Sequence, residues 1–143
     1  MARAFQRRRD GRIEVNLSEQ GRHYLRQEFE RIHATLSDTS STALPILRQP
    51  IDPSRDDDDP LRTLERDHAV SSSVELALVT VDEEFLNDAE AWAWAASIGL
   101  VLQGLAAHHN LHTDDDVNAA DPNVTADLHA VQALLWDLSR ALV

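Results

Sequence analysis

The segment 85–105 constrains this chain more than any other part of it. Read as a helix, it is apolar on most sides, with Phe85, Leu86, Trp92, Trp94, Ile98, Leu100, Val101, Leu102 and Leu105 spread around the helical period. A helix without a polar face must be covered by other helices, so the segment predicts a central, buried helix. The acids Asp82, Glu83 and Glu84 suit the positive end of a helix dipole and set its expected start, giving a helix over 82–108. A membrane span is the competing reading. It is disfavoured because Glu90, Ser97, Gln103, two glycines and many alanines make the stretch 89–107 weakly hydrophobic. The small residues Ala91, Ala93, Ala95, Ala96, Gly99 and Gly104 permit close helix approach. Trp92 and Trp94, two apart, face different ways. Trp92 is expected in the core, and Trp94 under a loop or at an oligomer interface.

The rest of the chain reads as cover for this helix. Ile13, Val15 and Leu17 alternate with Arg12, Glu14 and Asn16, and Asp10-Gly11 supplies a tight turn, so 4–17 predicts a β-hairpin. Ser18 is a helix cap, followed by the stripe Leu25, Phe29, Ile32 and Leu36, which predicts a helix over 19–37. Serine, threonine, Pro45, Pro50, Pro53 and the run Asp56 to Asp59 make 38–59 a flexible loop. Asp59-Pro60 starts a helix over 60–81, although the stretch 74–81 has strand propensity as well. After a polar connection over 109–122, Asp121-Pro122 opens a last helix over 122–142 with Leu128, Val131, Leu135, Leu138 and Leu142 at helical spacing. The expected fold is mainly α: a small four-helix bundle with an N-terminal β-hairpin, forming one domain over 1–143.

Charge and composition narrow the function classes. The net charge is −12, which disfavours general nucleic-acid binding. Residues 1–31 nevertheless hold eight arginines against five acids, a local +3 that leaves −15 for the remainder. The absence of cysteine excludes disulfides, thiol catalysis and zinc–thiolate sites. No apolar run follows the basic N-terminus, so no secretory signal is expected and the chain reads as cytoplasmic. Phosphate-binding glycine loops, nucleophile elbows and Ser/His/Asp arrangements do not stand out, so neither an enzyme nor a bound cofactor is expected.

Four stretches together resemble a known family. Residues 1–15 (MARAFQRRRDGRIEV), the charged helix 61–81 (LRTLERDHAVSSSVELALVTV), the stretch 82–105 with AEAW at 89–92 and Gly104, and the leucine-rich last helix follow its order and spacing over nearly the full length. The family is the actinobacterial domain-of-unknown-function family number two thousand and seventeen. The resemblance implies a cytoplasmic, non-enzymatic regulator of transcription in oxidative stress that works through partnership with a sigma factor or RNA polymerase. It carries over no catalytic residues. Three departures bear on it: no cysteine is available for a thiol switch, Trp136 stands where a glutamine is expected, and Leu100 stands where a polar residue is usual.

Two residue sets are candidate sites. Arg7, Arg8, Arg9 and Arg12 on the hairpin are a candidate partner-binding set. A protein partner fits them, and direct DNA contact is the alternative that the acidic body disfavours. The duller reading is a solvated hairpin whose charges prevent edge-to-edge pairing. His108 and His112, one helical turn apart, with Asp114 form a candidate metal site. Against it stands a solvated helix end where histidine suits the dipole, and no HExxH pattern is present. The run Asp56 to Asp59 lacks the spacing of a calcium loop and reads as a solvated acidic loop. Regulation by protein–protein binding is the leading expectation, with a homodimer left open.

Overall fold

In the computed structural model the described residues are 3–37, 60–109 and 114–143. The chain is mainly helical, a four-helix bundle with a small N-terminal antiparallel hairpin. Strands β1 (Phe5–Arg7) and β2 (Ile13–Val15) pair with Phe5 opposite Val15 and Arg7 opposite Ile13. The turn between them uses Gly11 at φ 89°, a conformation that a side chain would strain. Phe5, Ile13 and Val15 face inward and are buried.

Helix α1 (Glu19–Ser37) begins where expected. The Ser18 hydroxyl accepts the Gly21 N–H at 3.1 Å, and Leu25, Phe29 and Ile32 form its buried stripe. Helix α2 (Pro60–Thr80) runs through 74–80, so the β-branched residues there follow their helical neighbours and not their local strand propensity. The expected loop 38–59 lies outside the described residues.

The central helix starts later than the acids at 82–84 suggest. Helix α3 is Asp88–His108, and Phe85–Leu86 form a third strand, β3. β3 pairs antiparallel with β2, Ile13 opposite Leu86 and Glu14 opposite Phe85, giving the order β1-β2-β3. The correction has a local cause. Asn87 and Glu90 form a reciprocal capping box: the Glu90 N–H donates to Asn87 Oδ1 at 2.8 Å, and the Asn87 N–H donates to Glu90 Oε1 at 2.8 Å. That cap fixes the helix start, and the two apolar residues before it bury Leu86 by joining the hairpin.

A short helix, α4 (Asp114–Ala119), interrupts the connection that reads as merely polar in the sequence. Helix α5 (Pro122–Leu142) begins at the expected cap, with the Asn123 N–H donating to Asp121 Oδ1 at 2.8 Å. Helix α3 lies in the middle, packed against α1, α2 and α5, while α5 also covers β1. Gly104 serves the close approach expected of it, since a Cβ there would sit 3.5 Å from Ile32 Cδ1 on α1.

The two tryptophans of α3 exchange the places the sequence suggests. Trp94 is fully buried and Trp92 is 60% exposed. The later helix start does not by itself decide this; a polar requirement does. The Trp94 indole N–H donates to Thr80 Oγ1 at 2.8 Å, and the Thr80 hydroxyl in turn donates to the Leu76 carbonyl at 2.8 Å. Phe5 and Phe29 meet the indole edge-on, with centroids at 6.0 and 5.9 Å. Trp94 therefore joins the hairpin, α1, α2 and α3.

Arg22 closes the seam beside this core. Its guanidinium donates to the carbonyls of Val81 and Glu83 at 2.9 Å each and of Val15 at 3.1 Å. These are backbone acceptors at the end of α2, before β3 and in β2, so one side chain holds three segments together.

Replacing Trp94 with alanine is expected to lower stability by about 3–5 kcal/mol, because a large buried side chain leaves a cavity. Thr80→Val keeps the shape but strands the indole N–H, at a cost of about 1–3 kcal/mol. Urea denaturation followed by circular dichroism measures both. In the double variant Trp94→Phe, Thr80→Val the losses should fall short of additive, since the two single changes break one shared hydrogen bond.

Candidate protein-binding surface

The hairpin arginines do not act as one set. Arg7 turns toward the bundle: its Nε donates to the Ala141 carbonyl at 2.8 Å, and its Nη1 donates to the Gly11 carbonyl at 2.9 Å and meets Asp88 at 3.2 Å. It ties β1 to the C-terminal end of α5 and the N-terminal end of α3. Arg8 pairs with Glu14 of β2, whose carboxylate is mostly buried beneath it. Arg12 pairs with Asp10 at 2.7 Å, and its guanidinium lies 4.3 Å from the centre of the Phe85 ring. The hydrogen bond from the Arg12 side chain, helped by the Arg12 backbone N–H, holds the Asp10 carboxyl below its ordinary range. Arg9 is exposed and, among the described residues, makes no side-chain hydrogen bond or ion pair. Arg8, Arg9 and Arg12 do share a shallow depression with Asp10 and Phe85, while Arg7 lies outside it.

The histidine candidate is only partly described. His108 ends α3, exposed, and stands edge-on to His109 with ring centroids 4.8 Å apart. His112 lies outside the described residues, and Asp114 is the first residue of α4. Among the described residues, no group of three or more His, Cys, Asp or Glu side chains is placed to hold a metal ion. Among them, too, no helix is long and apolar enough to cross a membrane.

The surface feature that sequence reasoning missed is aromatic. Trp92 on α3 and Trp136 on α5 are 60% and 66% exposed. An open groove of about 560 Å³ runs between these two helices, lined by Leu102, Gln132, Ala133, Leu135, Trp136 and Ser139. None of the six lining residues is charged, on a chain whose net charge is −12. The signal for Trp136 was present in the sequence: it falls one position off the stripe Leu128, Val131, Leu135, Leu138 and so points away from the core. For Trp92 no such signal exists, because every face of α3 is apolar.

Tyr24, the chain's one tyrosine, is half-buried on α1. Burial, followed by the charges of Glu28 and Asp127, pushes its phenol up to about 12, with Arg31 opposing. No family model, no curated protein and no solved structure matches this chain, so the family resemblance rests on the order and spacing of its own stretches.

Two outcomes follow from these placements. Arg7→Ala should lower the unfolding free energy measured in urea by about 1 kcal/mol, as for a partly exposed charged hydrogen-bonding group, whereas Arg9→Ala should leave it unchanged. The phenolate absorbance of the native protein reports Tyr24 alone and should titrate near 12, not near the free value of about 10. Because the unfolded phenol ionises first, the unfolded state binds fewer protons in this window. Stability contributed by neutral Tyr24 is therefore intact below about pH 10 and lost as pH rises from there toward 12.

Proposed function

We propose that this chain is a non-enzymatic binding protein, cytoplasmic, that regulates a partner protein by direct contact. The observation that carries the reading is the uncharged α3–α5 groove with Trp136 standing exposed at its wall. An exposed tryptophan beside an apolar groove is the composition of a protein–protein anchor site, and large contiguous apolar surface is rare on a monomer without a partner. A groove between two helices with Gln132 and Ser139 among its lining residues suits the apolar face of an amphipathic helix. The strongly acidic remainder of the chain favours a partner with basic flanks. A component of the transcription machinery, a sigma factor or RNA polymerase, is the partner that the family resemblance implies.

The hairpin supports this reading less than its composition suggests. Arg8 and Arg12 spend their charge on Glu14 and Asp10, and Arg7 serves the fold. What remains for a partner is Arg9 and the face of the depression around Phe85, a small basic contact beside the groove reading. The same pairing weakens the case for direct DNA binding, which needs several uncommitted cations to release counterions.

Affinity capture from lysate of the protein's own organism, with mass spectrometry of the retained proteins, tests the reading. Wild-type bait should retain a sigma factor or RNA polymerase, and Trp136→Glu should reduce retention about tenfold or more. Arg9→Ala should have the smaller effect. Empty capture by folded bait, or retention indifferent to Trp136→Glu, overturns the proposal.

A further inference from the structure

The hairpin turn is built on the one Asp–Gly bond in the chain. The turn needs both residues. Gly11 sits at φ 89°, where a side chain would be strained. Asp10 Oδ1 accepts the Arg12 backbone N–H at 3.0 Å, and its Oδ2 accepts the Arg12 Nε–H at 2.8 Å. The Gly11 N–H donates to the Arg8 carbonyl at 3.0 Å, and the Arg8 N–H donates to the Arg12 carbonyl at 2.8 Å.

The pair that suits the turn is also chemically labile. Aspartate followed by glycine can cyclise. The Gly11 nitrogen attacks Asp10 Cγ, a C–N bond forms, and the amide hydrogen leaves with the carboxyl OH as water. Water then opens the cyclic imide. Opening at the side-chain carbonyl restores aspartate. Opening at the main-chain carbonyl gives isoaspartate, with the backbone routed through the side chain and lengthened by a methylene. Glycine puts no side chain in the path of the attack, and a Cβ built at Gly11 would meet nothing within 4 Å, so bulk does not shield the bond.

The folded hairpin withholds each requirement of that reaction. The Gly11 N–H is engaged by the Arg8 carbonyl, and the Gly11 carbonyl accepts from Arg7 Nη1 at 2.9 Å, so the residue that must move is held by both its polar groups. The carboxyl must be neutral for its OH to leave. The Arg12 side chain, then the Arg12 N–H, hold Asp10 below the ordinary carboxylate range and so keep it ionised. Arg12 is in turn steadied from outside the hairpin, since its guanidinium lies 4.3 Å from the centre of the Phe85 ring on β3.

We infer that Asp10–Gly11 is a latent isoaspartate site, and that Arg12, steadied by the ring of Phe85, keeps it closed in the folded protein. Its conversion would damage more than the turn. The added methylene falls between Asp10 and Ile13, and Ile13 is fully buried and paired opposite Leu86. The hairpin and β3 would lose their register together.

The experiment incubates the full chain at neutral pH and reads isoaspartate by methyl transfer with an isoaspartyl methyltransferase, with peptide mass spectrometry to place it at Asp10. Folded wild type should convert slowly. In urea it should convert about tenfold faster or more, because the contacts on the turn are released at once. Arg12→Ala should convert about fivefold faster than wild type while folded, the factor that an exposed charged pair can supply. Arg12→Lys, which keeps the charge and loses the planar fork, should fall between, and Phe85→Leu should raise the rate with Arg12 intact. Thr80→Val weakens the core and leaves the turn alone, so its rate should match wild type; circular dichroism confirms that each variant is folded. An Arg12→Ala rate equal to wild type overturns the inference, as does a wild-type rate that is the same folded and in urea. So does Thr80→Val converting as fast as Arg12→Ala, since global unfolding and not the grip of Arg12 would then open the bond.

Discussion

The hydrogen bond from the Trp94 indole to Thr80 fixes the relation on which the other elements depend. An indole can fill a core only if its N–H finds an acceptor there, and a threonine hydroxyl can accept in a dry site only if its own proton is placed. Thr80 meets both conditions because it lies in the last turn of α2 and gives its proton to the Leu76 carbonyl. The bond therefore sets the offset between α2 and α3, and with it the point where the chain leaves α2. From that point, 81–87 has little freedom. Phe85 and Leu86 join β2, Asn87 caps α3, and Arg22 binds the carbonyls that the turn leaves exposed.

The same bond determines the surface. With Trp94 committed inward, helical geometry turns Trp92 outward. Turning Trp94 outward would remove the indole that Phe5 and Phe29 meet and leave the Thr80 hydroxyl without its donor. The exposure of Trp92 is thus a consequence of burying Trp94 with its polar atom satisfied.

The arginines divide by the acceptors the fold offers them. Arg22 and Arg7 find backbone carbonyls that no secondary structure satisfies, at the end of α2 and near the end of α5. A guanidinium with several donors in one plane answers such needs better than an ammonium would. Arg8 and Arg12 find carboxylates within their own hairpin. A basic head in the sequence becomes, in space, a set of clamps, with Arg3 and Arg9 left over among the described residues.

Much of the fold was legible because it depends on local rules. The Asp10-Gly11 turn, the Ser18 and Asp121 caps, and the stripes Leu25, Phe29, Ile32 and Leu128, Val131, Leu138 each follow from the stereochemistry or periodicity of neighbouring residues. The candidate surface was legible only in part. Trp136 is off its helix's stripe, but Trp92 carries no such mark, and charge counting cannot tell Arg9 from Arg7. The sequence by itself determined the four long helices, the hairpin, the central place of α3 and the acidic composition. The tertiary structure decided which tryptophan is buried, where α3 begins, that β3 exists, and which arginines are spent on the fold. Those outcomes depend on acceptors supplied by residues far apart in the chain, and no local pattern encodes whether a distant carbonyl or hydroxyl will be within reach.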